Sequence, residues 1–385
     1  MLKRTIYEDE HEMFRRTVRA WAEAEVFPHS EAWREAGCVS REVWKSAGAQ
    51  GFLCMYADEK YGGMGLQDFR FDMVLNEEIG AREPGFFLAL HNRIAGPYMQ
   101  GVASDAQRDR YMPGIVAGDI ILAIAMTEPG TGSDLAGIRT RAVDMGGHWV
   151  LNGSKTYISN GFLAGLVIVA ARTNPDASHE IGLFLVEDGG EGFSRGRNLK
   201  KLGLPSQDTA ELFFDDVKVP KENVLGDPRA GFKIMMQNLA EERLIGAAGF
   251  MARAEYAFDR TMEFIMERRA FGRAIGTFQN SRFKMATMRT ELDAAWALTD
   301  HCVREHLKGE LNAEMAAEAK LFTSEVEGRV VDECLQLHGG AGYMDEYEIS
   351  RLYADARISR IYAGTSEIMR EIIGRGLGLD DRQRN

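Results

Sequence analysis

The sequence predicts a multidomain α+β fold: an all-helical N-terminal domain over residues 1–117, a middle antiparallel, barrel-like β domain over 118–228, and a C-terminal four-helix bundle over 229–385. Three observations predict it. A chain of 385 residues exceeds what one ordinary core holds. Its apolar periodicity switches from helical to strand spacing near Asp119 and back again near Gly231. No regular helix separates the strands of the middle zone, which argues against a doubly wound sheet.

In the first zone, Glu8 to Phe27, Ser40 to Gln50, Asp68 to Ala81 and Asp105 to Ala117 carry apolar residues three and four apart. Ser40 before Glu42-Val43-Trp44 suits a helix start. Glycines in Asp58 to Gly65 break the zone. In the middle zone, Ile120–Ile124, Trp149–Leu151, Leu166–Val169 and Ile181–Val186 are short β-rich runs. Asp144-Met145-Gly146-Gly147-His148 and Asn152-Gly153 supply turn chemistry between them. Thr209 to Val219 adds one or two strands, stopped by Pro220. In the last zone, long amphipathic stretches at 231–269, 279–308, 312–337 and 345–357 have short joins, as an antiparallel bundle requires. A short helix follows Thr365.

Bulk properties exclude several classes. The longest apolar runs, such as Ile120–Met126, fall far short of the ~20 residues a membrane span needs. Lys3 and Arg4 are followed by Glu8, Asp9, Glu10 and Glu12 with no apolar stretch, unlike a secretory or organellar leader. Cys38, Cys54, Cys302 and Cys334 have no metal-like or redox spacing, so they read as reduced thiols. The expected location is the cytoplasm, or the mitochondrial matrix for a mature eukaryotic chain. A formal net charge of −12 argues against nucleic-acid binding.

Four motifs carry chemistry. Ala125-Met126-Thr127-Glu128-Pro129-Gly130-Thr131-Gly132-Ser133-Asp134 follows a strand and leaves backbone amides and hydroxyls free to donate to a ring system or phosphates. It is neither a Walker loop nor a strand–helix GxGxxG unit, and by itself it reads as a turn. Asn152 to Gly161, containing Tyr157-Ile158-Ser159, offers an aromatic ring for a flat cofactor; taken alone it is a hairpin with an interior tyrosine. Arg268-Arg269-Ala270-Phe271-Gly272 closes a helix, where cations are favourable in any case, and Arg268 has the forked geometry that suits phosphate. Gln336-Leu337-His338-Gly339-Gly340-Ala341-Gly342 is a helix cap with more glycine than a cap requires.

Taken in order and at these spacings, with Tyr362-Ala363-Gly364-Thr365-Ser366-Glu367 near the end, the motifs resemble the acyl-CoA dehydrogenase family from about residue 8 to 375. The resemblance implies FAD, a homotetramer (a dimer of dimers), and electron-transfer flavoprotein as acceptor. Carried over by position, Met126, Thr127, Ser133, Tyr157, Ile158 and Ser159 hold the flavin ring. Arg268, Phe271, Gln279, Gln336, Leu337, His338, Gly339, Gly340, Thr365, Ser366 and Glu367 hold the rest, partly from a neighbouring subunit. Ser133, Arg243, Ala363 and Gly364 meet the acyl-CoA substrate.

The family's reaction removes the α-proton of an acyl-CoA thioester with a carboxylate base while the β-hydrogen leaves as hydride to the flavin. Many members carry that base immediately after a tyrosine, where this chain has Ala363. The long-chain and isovaleryl enzymes carry it on a helix before an arginine, which corresponds to Glu242 before Arg243. Helix geometry agrees: Glu241 shares a face with Leu244 and Ala248, whereas Glu242 stacks over Gly246 and Gly249. Each interior glycine costs roughly 1 kcal/mol against alanine, and room for a ligand offsets that. The bland alternative makes both glutamates solvated first-turn residues.

Wording outside the motifs resembles the long-chain branch, but Phe86 and Phe87 stand where small residues would open the acyl cavity. The expected substrate is a medium-to-long or methyl-branched acyl-CoA, converted to the trans-2-enoyl-CoA. The alternatives are an isovaleryl-type short-branched enzyme, an oxygen-using acyl-CoA oxidase or flavin monooxygenase, and an inactive assembly-type homologue.

Overall fold

The computed structural model describes residues 2–379, so the last residues of the expected bundle domain lie outside the described ones. The N-terminal part is helical, with α1 (Asp9–Glu25), α2 (Ser30–Ala36), α3 (Arg41–Ala49), α4 (Arg70–Leu75), α5 (Gly96–Gly101) and α6 (Asp105–Ala117). Burial explains α1: Val18, Trp21 and Ala22 form one inward stripe. Ser40 does stand at the N-cap of α3, but its hydroxyl bonds no helix amide; it meets the Glu42 carboxylate instead. The stretch expected over 68–81 widens after Leu75 into a π-helical turn, Asn76–Gly80, and a second one, Leu90–Ala95, leads into α5. The periodicity missed α2 and α5 because neither runs long enough to repeat.

The middle part is one sheet of β1 (Leu122–Ala125), β2 (Arg141–Asp144), β3 (His148–Ser159), β4 (Leu166–Arg172), β5 (Ile181–Glu187), β6 (Phe193–Asn198), β7 (Thr209–Pro220) and β8 (Val224–Leu225). Its order is β6-β7-β3-β2-β4-β5-β8, with β1 also on β4. The antiparallel expectation needs correction: β1 runs parallel to β4, and β2 meets β4 parallel at Arg141↔Arg172. The Asn152-Gly153 turn is also corrected. Both residues lie inside β3, where the register against β7 shifts between Leu151 and Gly153. Gly153 has φ +147, and a Cβ there would come within 2.6 Å of the Thr140 hydroxyl. A glycine that permits close approach within a strand looks like a turn in sequence.

The C-terminal part holds α7 (Gly231–Glu267), a β9 (Arg269–Ala270) and β10 (Arg273–Ala274) hairpin, α8 (Gln279–Leu307), α9 (Ala313–His338), α10 (Glu348–Ala356) and α11 (Ser366–Gly376). Three helices are long, at 37, 29 and 26 residues. The fourth long helix expected over 345–357 is the nine-residue α10. α7 packs on α8 and α9, while α10 and α11 lie on α9. Leu244, Ala248, Met251, Met288, Leu292, Val326 and Val330 fill this core. Arg253 and Glu327 pair inside it at 2.7 Å. Among the described residues no helix is long and apolar enough to cross a membrane.

Candidate active site

A cavity of about 840 Å³ opens where the three parts meet, bounded by the π-helical turns, the exits of β1 and β3, α7, and the turn before α11. It collects Met126, Thr127, Ser133, Tyr157, Ile158, Ser159, Glu242, Arg243, Ala363 and Gly364 from the sequence-derived set. A second cavity, about 720 Å³, lies between the N-terminal arm and α7–α8. Several of its charges are already paired, as in the Arg4 pairs with Glu77 and Asp300.

The two sheet motifs meet because β1 and β3 are latched at their ends. Thr156 N–H donates to the Thr127 carbonyl at 3.0 Å. The Lys155 ammonium donates to the Met126 carbonyl at 3.0 Å and to Glu128 Oε1 at 2.8 Å. Glu128 also accepts the amides of Arg139 and Thr140 at 2.7 and 2.9 Å, so one buried carboxylate closes the glycine-rich loop. Burial pushes the Lys155 ammonium down to about 8, opposed by the Glu128 charge. Tyr157 is not interior: it has φ +58 and is 70% exposed. A tyrosine held in the left-handed region with its ring in the open is a strained, presented side chain.

Glu242 is neither solvated nor in a first turn. α7 begins at Gly231, and Glu242 is 6% exposed. Burial pushes its carboxyl up to about 8; a hydrogen bond from Tyr98 and the Arg243 charge resist, and Glu241 adds to the rise. Tyr98 Oη donates to Glu242 Oε1 at 3.2 Å. Glu241 behaves oppositely. Burial would raise it, but a hydrogen bond from His306 and the Arg93 charge together hold it below the usual carboxylate range. His306 Nε2 lies 2.9 Å and Arg93 Nη1 3.3 Å from it. Gly246 and Gly249 line the cavity beside Glu242, and a Cβ at Gly249 would meet nothing closer than 3.8 Å.

Ala363 faces the same cavity from a turn of two left-handed residues, φ +53 at Ala363 and φ +96 at Gly364. The Gly364 carbonyl accepts from the buried Lys320 ammonium at 2.6 Å. Arg243 is buried too, and its Nε has no hydrogen-bond partner among the described residues. Both phenylalanines border the cavity, but Phe86 is mainly a core residue, edge-on to Trp44 at 4.9 Å. Phe87 stacks on Tyr362 at 6.5 Å, and Tyr362 on Phe250 at 5.8 Å, forming one aromatic wall of the cavity.

The remaining sequence-derived residues do not join this cavity. Thr365 caps α11 by accepting from Ile368 N–H at 3.3 Å, Ser366 donates to Glu325 at 2.8 Å, and Glu367 is exposed. Arg268, Phe271 and Gln279 sit around the β9–β10 hairpin, Phe271 being 95% exposed at φ +50. Gln336, Leu337, His338, Gly339 and Gly340 end α9, where His338 stacks on Phe264 of α7 at 4.1 Å. At 1.5 Å per residue, Phe264 lies on the order of 33 Å along α7 from Glu242. Sequence reasoning missed Tyr98, Tyr362, Lys155 and Glu128. Only Lys155 left a usable signal, since alternation from Trp149 and Leu151 puts it on the inward face of β3.

Comparison with known proteins covers most of the chain. Residues 8–119, 123–217 and 229–378 match the families described as acyl-CoA dehydrogenase N-terminal, middle and C-terminal domains. The chain is 43% identical over 380 residues to the mitochondrial long-chain specific acyl-CoA dehydrogenase of Mus musculus, covering 98% of this chain and 88% of that one. It is 35% identical over 377 residues to the mitochondrial isovaleryl-CoA dehydrogenase of Oryza sativa subsp. japonica, covering 97% and 92%. The crystal structure of an acyl-CoA dehydrogenase from Geobacillus kaustophilus superposes with TM-score 0.96 at 43% identity, covering 97% and 100%.

Proposed function

Because the chain belongs to the acyl-CoA dehydrogenase family of FAD-dependent oxidoreductases, we propose that it oxidises medium-to-long or methyl-branched acyl-CoA to the trans-2-enoyl-CoA with Glu242 as base. One observation carries the reading: Glu242 is a buried carboxyl in a ligand-sized cavity, which Ala363 also lines without a proton acceptor. Desolvation raises its proton affinity toward the working range of a general base.

The cavity fits the cofactor the family uses. Thr127, Ser133 and Ser159 bring hydroxyls to one side, Tyr157 presents an open ring, and the space is large enough for a ring system and an acyl chain. When bound, FAD supplies the acceptor for the β-hydrogen, which leaves with its electron pair as the α–β double bond forms. Glu242 takes the α-proton. The Ala363 backbone N–H is assigned to the thioester oxygen, where negative charge develops; a backbone donor survives the loss of a side chain. Arg243 supports this geometry from the next position on α7.

The Phe87–Tyr362–Phe250 wall and the likeness to a long-chain relative support the substrate class. Arg268, Phe271, Gln279 and the Gln336–Gly340 turn lie too far from Glu242 to reach the same end of one cofactor. Their exposure supports a homotetramer in which they serve a neighbouring copy. Electron-transfer flavoprotein is the proposed acceptor. Four free cysteines suit a reducing location, cytoplasmic or in a mitochondrial matrix.

Anaerobic flavin bleaching with acyl-CoAs of graded length and branching tests the reading. Medium-to-long or methyl-branched thioesters are expected to bleach fastest. A preference for isovaleryl-CoA moves the substrate to the short-branched class. Peroxide formed faster than an artificial acceptor is reduced overturns the dehydrogenase assignment in favour of an oxidase.

A further inference from the structure

The contact between Glu242 and Tyr98 crosses from one part of the protein to another. Tyr98 belongs to α5 of the N-terminal part, is fully buried, and packs with Met99, Leu122 and Met235. Its ring is therefore immobilised by the core, while Glu242 reaches it on a flexible stem. The hydroxyl is held from both sides. It donates to Glu242 Oε1 at 3.2 Å, and the Asn238 side chain, one turn earlier on α7, hydrogen-bonds the same hydroxyl. Burial keeps the phenol protonated, so it stays a donor.

We propose that Tyr98 is the positioning residue of the base: its hydroxyl fixes the rotamer of Glu242 at the edge of the cavity and stabilises the ionised carboxylate. The proposal rests on the reading that Glu242 takes the α-proton. Near the carboxylate stand Glu241 and Arg243 on its own helix and Tyr98 from α5. Arg253 further along α7, Tyr362, Glu371 and Arg375 from the C-terminal segment, and Asp134, Tyr157 and His179 from the middle part line the same cavity. Arg243 is the nearest cation and shares the helix, so it cannot fix which way the neighbouring side chain turns. Tyr98 approaches from a different element and can. A hydrogen bond to the ionised form lowers a carboxyl's proton affinity, so its loss leaves more of the base protonated at neutral pH.

The test uses the FAD-loaded enzyme. Single-turnover bleaching by saturating acyl-CoA is followed from pH 6 to 9 in wild type, Tyr98→Phe, Asn238→Ala and Glu242→Gln. Tyr98→Phe removes one oxygen and keeps the ring. Its rate profile is expected to rise about one pH unit later, with the rate at pH 7 down about tenfold and substrate affinity and flavin content unchanged. Asn238→Ala is expected to move the profile the same way by less, and it carries the test alone should Tyr98→Phe fail to fold. A profile that coincides with wild type in the folded variants, with Glu242→Gln inactive, overturns the role of Tyr98 alone. A Glu242→Gln enzyme that keeps turnover overturns the base assignment and this inference with it.

Discussion

Glu242 and Ala363 line one cavity, the first from the N-terminal third of α7 and the second from the left-handed turn before α11. One position carries the only feature the other lacks, a carboxyl group. Glu242→Gln is expected to fold, stay yellow and lose about 10³-fold in turnover. In the double variant Glu242→Gly with Ala363→Glu, steady-state assays are expected to recover part of that loss. No recovery, with flavin bound, would place the two positions on different atoms of the substrate.

Stability should report the same carboxyl. Its proton affinity is raised in the fold to about 8 from an ordinary 4.5. Below the unfolded value both states hold the proton and nothing is lost; as pH climbs through the folded value, the cost of keeping a buried carboxyl grows to its full size. Glu242→Gln should therefore match wild type near pH 4.5 and be more stable at pH 9, by up to roughly 5 kcal/mol. Parallel denaturation curves at the two pH values check this, and equal stability at pH 9 would contradict it.

The two adjacent phenylalanines should behave differently. Phe86→Ala removes core packing against Trp44 and is expected to cost roughly 3–5 kcal/mol, a stability loss that outweighs any change in chain-length preference from the cavity edge it also borders. Phe87→Ala opens the aromatic wall. Longer acyl chains should gain up to about fourfold in kcat/KM per methylene newly buried, as about 0.8 kcal/mol each implies. An unchanged length profile for Phe87→Ala would remove it from the acyl path.

Lys155 and Glu128 form a buried pair that ties Met126 to β3. Lys155→Met leaves Glu128 without its cation and should destabilise the enzyme by roughly 3–5 kcal/mol. The double variant Lys155→Met with Glu128→Gln should recover much of that. FAD affinity is expected to stay weakened in both, because the Met126 carbonyl has lost its donor. Equilibrium flavin titration separates the two effects.

Much of this was legible in the chain. Glu242 was singled out by the resemblance, and helix period supported it over Glu241 by putting two glycines beneath one and core residues beneath the other; those glycines line the cavity. The switch from helix to strand and back followed from where the apolar period changes. Errors arose where a local signal has two physical meanings. Asn152-Gly153 has the composition of a hairpin, yet the glycine serves a strand crossing close to Thr140. β6, whose Phe193 is followed by Ser194, Arg195, Gly196, Arg197 and Asn198, has no apolar alternation to announce it.

The sequence by itself determined the order of the three parts, because periodicity is a local property; Glu242 and the two hydroxyl-bearing segments stood out through family resemblance, with helix spacing in support. Only the tertiary structure decided that Phe86 packs on Trp44 while Phe87 stacks on Tyr362, that β1 runs parallel to β4, and that a tyrosine from α5 meets Glu242. Those outcomes depend on which distant element fills the space opposite a side chain, and no period along the chain encodes that.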